Sequence, residues 1–283
     1  MKRIVVFFLA LLGSILAFPC AAKADVGPKP SLEVIVKNPP ETEYYLDLLV
    51  DYSVNDLHEN IREKENYSEE MYNILKNYNV DGWRPALVTG TQVPLFGSLV
   101  GHKNGENMVH KFSYIGVPDR FKLIMVTKDG ETIVSKNVIE RKAFSSTVYF
   151  DCKTNILEEK SFIVAYLLQF IATCSMTLII EGLILILFKF SLKVNWKPFL
   201  AINIITQVLL TLIVFGTMYS HGSFAAILVY IPFELFILFL ETVLFGKYLT
   251  QHSISRRKAF AIVANICSFL VGVVGLLYFP QMW

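Results

Sequence analysis

Seven polar side chains stand in otherwise apolar stretches of the C-terminal half: Glu181, Asn203, Gln207, Glu234, Glu241, Asn265 and Ser268. An unpaired charged carboxyl at mid-bilayer costs roughly 2.5 to 3.5 kcal/mol, so such groups turn away from lipid and toward one another. Their spacing suits that. Asn203 and Gln207 are four residues apart, Asn265 and Ser268 three, and Glu234 and Glu241 seven, while Thr177 precedes Glu181 by four. Each set therefore shares one face of a helix. Counted from the nearest basic loops, Glu181, Glu241, the Asn203/Gln207 pair and the Asn265/Ser268 pair fall at one depth, roughly 8 to 14 Å in at a 1.5 Å rise per residue. Glu234 lies nearer the middle.

Carboxyls and amides in one layer support three kinds of chemistry. They can hydrogen-bond across helices and fix packing, at roughly 0.6 to 2 kcal/mol each. They can hold a proton or a cation, since paired carboxyls in a low-dielectric setting share one. They can also recruit another membrane protein. Enzymatic chemistry has weaker footing, because none of the apolar segments holds a His, Lys or Arg to serve as base or metal ligand. No catalytic residue and no cofactor are expected, and the sequence assigns no metal.

These residues need helices to hold them. Four apolar segments, 162–188, 198–218, 224–246 and 259–279, each reach the roughly 20 residues needed to cross hydrocarbon, which predicts a four-helix transmembrane bundle. The composition agrees, with 54% hydrophobic residues in 283 and a mean hydropathy of +0.48. Charge is segregated. Residues 25–161 hold 16 Lys and Arg against 21 Asp and Glu, whereas the remainder holds ten cations and only the three intramembrane acids. The loops Lys189–Lys197 and Lys247–Lys258 are basic and predicted cytoplasmic; Tyr219–Ser223 has no Lys or Arg and faces out. Arg256, Arg257 and Lys258 are read first as orienting charges and second as a site for anionic lipid.

Ahead of the helices, Lys2, Arg3, the apolar run Ile4–Phe18 and Ala22-Lys23-Ala24 read as a signal peptide over 1–24 with cleavage before Asp25. Residues 25–160 then form a predicted extracytoplasmic domain, mostly β and sandwich-like with short helices, its strands expected to be antiparallel, with a partly open sheet and helix as the alternative. Leu32, Val34 and Val36 alternate with more polar neighbours, and Tyr44–Val50 follows the Asn38-Pro-Pro turn, so the two runs are expected to pair as a hairpin. Asn55–Glu65 and Ser68–Tyr78 read as surface helices, the second capped by Ser68. Strands are predicted over 109–115, 120–127, 131–139 and 144–151, with Asp129-Gly130 turning one hairpin. His58, His102 and His110 lack metal-ligand spacing. Gly101–Gly105 reads as a turn, Trp83, Tyr44 and Tyr45 as core or rim aromatics, and Ser145 and Ser146 as lacking a nucleophile's surroundings. Cys152 is the one thiol of this region and is expected to be unpaired.

Asp25-Val-Gly-Pro-Lys-Pro-Ser31, Asn203 followed by Thr206-Gln207, Glu234 with Glu241, and Asn265 before Ser268-Phe269 together resemble a group of Gram-positive bacterial membrane proteins without an assigned activity. The resemblance covers most of the chain after the leader and implies architecture alone: signal peptide, exported domain, four C-terminal helices. The expectation is a multi-pass protein of the bacterial cytoplasmic membrane, with its N-terminal domain and C-terminus outside, acting as a non-enzymatic binding, assembly or sensing protein. The alternative is a proton- or cation-coupled transport component. Its expected partners are the lipid bilayer, another membrane or extracytoplasmic protein, or further copies of itself; nucleic acid is not expected.

Overall fold

Residues 27–52 and 58–278 are described by the computed structural model, and they divide into two compact units. The predicted signal peptide lies outside the described residues. One unit comprises residues 28–161 with Tyr219–Gly222, and the other the remaining helical chain from Phe162 onward.

The N-terminal unit is built on strands β1 (Ser31–Lys37) and β2 (Tyr44–Val50). In β1 the burial alternates, with Leu32, Val34 and Val36 inside, as a strand with one wet face requires. All seven residues of β2 are buried, so it is covered on both faces. Helix α1 (Glu69–Asn77), strand β3 (Arg84–Pro85) and the single-turn helix α2 (Ala86–Thr89) follow, then β4 (His102–Asn104), β5 (Asn107–Ser113), β6 (Arg120–Thr127), β7 (Thr132–Val134), β8 (Ile139–Glu140), β9 (Ser145–Asp151) and β10 (Ile156–Glu159). One sheet has the order β10-β9-β1-β5-β4; the other runs β3-β2-β6-β7, with β8 also on β6. Both contribute to one core, where Leu32, Phe112 and Phe150 of the first meet Leu46, Leu48 and Leu123 of the second, while Met71, Leu75 and Leu87 add α1 and α2.

Three expectations are corrected here. β1 and β2 do not form a hairpin: β1 lies between β5 and β9, and β2 between β3 and β6. The sheets are not purely antiparallel, because β1 pairs with β9 in parallel, Ser31 opposite Ser145. The cause lies in β2, whose unbroken apolar run needs cover on both faces and so a central place in a second sheet. The predicted helix over 55–65 falls partly outside the described residues, and what is described has only one 3₁₀ turn, Lys64–Asn66. There Asn60 is buried, its amide donating to the Ala86 carbonyl and the Thr91 hydroxyl and accepting from the Leu95 N–H. Those bonds bind the segment to a distant loop in place of a helix.

Elsewhere the local chemistry acts where it was expected. Gly130, at φ 81°, turns the β6–β7 hairpin. Helix α1 starts after Ser68 with Glu69 and Glu70 in its first turn, although the Ser68 side chain makes no capping bond. Gly101–Gly105 is a turn only at its end, since His102–Asn104 form β4 against β5.

The second unit consists of α3 (Ile163–Leu187), α4 (Leu192–Tyr248) and α5 (Ile254–Tyr278). Helices α3 and α4 are long and apolar enough to cross a membrane. Their large apolar side chains stay exposed along much of the surface, among them Leu167, Leu168, Ile179 and Leu183. The 57 residues of α4 are broken at Gly222, whose φ of 85° and ψ of 173° only glycine adopts readily. In a straight helix Thr206 and Glu241 would stand about 52 Å apart; here they share a 2.5 Å hydrogen bond. The chain thus doubles back on itself at Gly222.

The basic loop expected at Lys189–Lys197 is shorter than that. Helix α4 begins at Leu192, with the Val194 and Asn195 N–H groups donating to the Ser191 carbonyl. Pro198 marks the start of the apolar segment in sequence, and in the second turn of α4 it removes one backbone bond without ending the helix.

Candidate functional site

The helical unit holds a half-open cavity of about 490 Å³. It runs from Gln169 to Glu181 along α3, about 18 Å at helical rise. One end is polar, with Glu181, Gln207, Glu234, Glu241, Asn265 and Ser268 in its lining, while Leu210, Val214, Ile227 and Ile231 make apolar walls. Six of the seven side chains singled out by spacing therefore reach one space.

Glu241 is the better satisfied carboxyl. Thr206 Oγ1 donates to its Oε1 at 2.5 Å and Asn265 Nδ2 to its Oε2 at 2.7 Å, so it joins both arms of α4 to α5. Glu181 accepts from Ser268 Oγ at 3.1 Å, which joins α3 to α5. Both carboxylates are 1 to 2% exposed. Glu181 Oε2 is closed off from solvent and receives no donor among the described residues, and the Asn203 amide lies within hydrogen-bond reach of this carboxyl. Glu234 borders the cavity nearer its apolar part, one turn beyond Tyr230, which lines it too.

Asn203 and Gln207 do not act as the face they share suggests. Asn203 donates to the Phe199 carbonyl of its own helix and lies outside the cavity lining, with its amide beside the Glu181 carboxyl. Gln207 reaches Thr173 Oγ1 at 3.4 Å instead of a carboxyl. The position that does bond the carboxyl is Thr206. Its signal was available: a threonine at 206 occupies the face that meets Glu241 once the helix doubles back.

A second polar cluster went unnoticed in the sequence, at the basic end of the bundle. Asn195, fully buried, accepts at Oδ1 from the Thr250 N–H at 2.8 Å, and its Nδ2 donates to Gln251 Oε1. Gln251 Oε1 also accepts from the Ser191 N–H, and the Arg256 guanidinium donates to the Phe188 carbonyl. Phe190, Phe199, Phe245 and Phe260 pack beside it. The two basic loops are bound together here.

The N-terminal unit has polar groups of another kind. Asp47 in β2 is fully buried and accepts from the N–H groups of Leu48, Leu87 and Val88 at 2.7 to 2.9 Å. It thereby caps α2, as a carboxylate at a helix start does. Burial pushes its carboxyl up to about 7 against the pull of those three donors. His110 faces the Tyr44 hydroxyl at 3.2 Å, and burial pushes its imidazole down to about 4. Burial also lifts the half-buried Cys152 thiol to about 11, which leaves little reactive thiolate. Ser146 donates to the Ala143 carbonyl, and Trp83 stands between the Arg120 and Lys122 cations. Among the described residues no three His, Cys, Asp or Glu side chains converge as a metal site would require.

No protein-family model matches the chain, and no curated protein or solved structure does so either. The site must be argued from its own geometry.

Proposed function

We propose that this is a non-enzymatic binding protein of the bacterial cytoplasmic membrane, in which the helical unit takes a small amphipathic ligand and the N-terminal domain is extracytoplasmic and engages a partner there. One observation carries it: a 490 Å³ cavity between helices, apolar along its walls and ending in carboxyls. That volume and mixture are what small-molecule sites use. The reading includes a cleaved signal peptide and four crossings, the two arms of α4 counting separately. Doubling back at Gly222 supports this, as does the meeting of both basic loops at one end, since cations gather on the cytoplasmic side. Membership of the Gram-positive group named above fits the same architecture.

The test is native mass spectrometry of the protein held in membrane discs. A bound molecule of constant mass is expected on the wild type and is lost in Ala226→Phe, which fills the cavity from its wall. A wild type that carries nothing in either exponential or stationary growth sinks the reading.

A second reading rests on Glu181, a buried carboxyl on the cavity wall with the Ser268 hydroxyl and the Asn203 amide beside it. Such a carboxyl suits a proton or cation in transit, and a transport component would lose pH-driven flux in liposomes on Glu181→Gln while keeping its thermal stability. Unchanged flux in that variant removes this reading.

A further inference from the structure

The N-terminal unit has a small cleft of about 220 Å³ where the end of β2, the end of α1 and strand β3 meet. Its polar lining is Tyr52, Lys76, Tyr78, Asn79, Arg84 and Thr89, with no acid among its eight residues. That is unusual in a region whose acids outnumber its cations, 21 to 16.

Among the described residues neither cation is neutralised. Arg84 and Lys76 form no ion pair among the described residues, and Arg84 Nε is shut off from solvent without an acceptor. A buried guanidinium N–H without a partner is costly, so this side chain lacks an acceptor within the fold for its charge. Nearby acids are engaged elsewhere: Asp51 pairs with Arg120, and Asp119 with Arg141 at 2.6 Å. Burial and, after it, the charge of Asp81 raise the Tyr78 phenol, yet Asp81 does not line the cleft. Thr89 gives its hydroxyl proton to the Pro85 carbonyl. The donors that remain are the guanidinium, the ammonium, two phenols and one amide.

We propose that this cleft binds a phosphate group, as the free ion or as a monoester. Two unpaired cations match the charge of about −1.5 to −2 of a phosphate monoester better than the single charge of a carboxylate. A forked guanidinium beside a point-charge ammonium is the pairing that phosphate recognition uses. The volume lies below the roughly 300 Å³ where drug-sized sites begin, so a head group enters and the rest of an ester stays outside.

Calorimetric titration of the full-length protein in discs of zwitterionic lipid tests it, with inorganic phosphate, glycerol 3-phosphate and acetate as probes. Phosphate or its monoester is expected to bind and acetate not; whichever of the first two binds tighter identifies the free ion or the ester as the source. Lys76→Gln and Arg84→Gln are each expected to weaken binding about tenfold, the loss of one charge-assisted contact. Lys76 is exposed on α1, so its variant decides the matter even if the Arg84 variant unfolds. Absence of phosphate binding, acetate binding of equal strength, or an unchanged affinity in Lys76→Gln overturns the proposal. Glu181→Gln is expected to leave this binding unaltered.

Discussion

The two units bury carboxyls in opposite ways. In the N-terminal domain Asp47 is satisfied entirely by backbone N–H groups, so its partners are supplied by the path of the chain and have no side-chain freedom. In the helical unit the backbone is already consumed by the helices, and Glu181 and Glu241 can be met only by side chains from other helices. The first arrangement is complete. The second rests on the side chains of Thr206, Asn265, Ser268 and Asn203, and the cavity lies beside it. Backbone partners are fixed by the path of the chain, whereas side-chain partners can turn toward a ligand.

The contrast predicts a larger penalty in the domain. Asp47→Ala strands three buried N–H groups and is expected to cost about 3 kcal/mol, read from chemical denaturation of the full chain followed by the fluorescence of Trp83. Glu241→Ala strands only the flexible Thr206 and Asn265, and about 2 kcal/mol is expected from unfolding in mixed micelles. Equal or reversed penalties would break the comparison.

Titration sharpens it. The folded domain holds the Asp47 proton up to about pH 7, while the unfolded chain releases it near 3.8, so this group makes stability fall as pH rises between those values. His110 acts in reverse. Folding lowers its pKa from 6.5 to about 4, so the unfolded chain binds the proton first and stability falls as pH drops through that window. The two slopes oppose each other in the wild type between about pH 4 and 6.5. The unfolding free energy of the domain against pH is therefore expected to tilt upward in Asp47→Asn and downward in His110→Gln, each by up to about 1.4 kcal/mol per pH unit. The smallest effect belongs to Ser268→Ala, which removes one hydrogen bond to Glu181 and is expected to cost about 0.6 kcal/mol in the same micelle assay.

Which parts were legible follows from how local the cause is. The alternation of Leu32, Val34 and Val36 and the turn at Gly130 arise within a few residues, and both were readable. The partner of β1 was not, because β9 lies more than a hundred residues away and nothing in Ser31–Lys37 specifies it. Tyr44–Val50 did carry a sign: an apolar run without alternation, with one Asp inside, describes a strand covered on both faces and a carboxyl with a structural task. In the helices, residue type and depth brought six side chains to the cavity, but the identity of each bond depended on the rotation of one helix against another. That is why Thr206 meets Glu241 and Gln207 meets Thr173.

The knot formed by Asn195, Gln251, Thr250 and Ser191 has a mechanical meaning. It clamps the helices at the basic end, while the cavity extends from the carboxyls toward the opposite end, where its lining includes Met218 and Ser223. The two arms of α4 are joined again at Gly222, so across the void they act as one closed hairpin against which α3 and α5 bear. Any opening is expected to be a tilting of α3 or α5 away from that hairpin about the pinned end, so that a small change of angle at the knot becomes a wide entrance for whatever approaches from the other side.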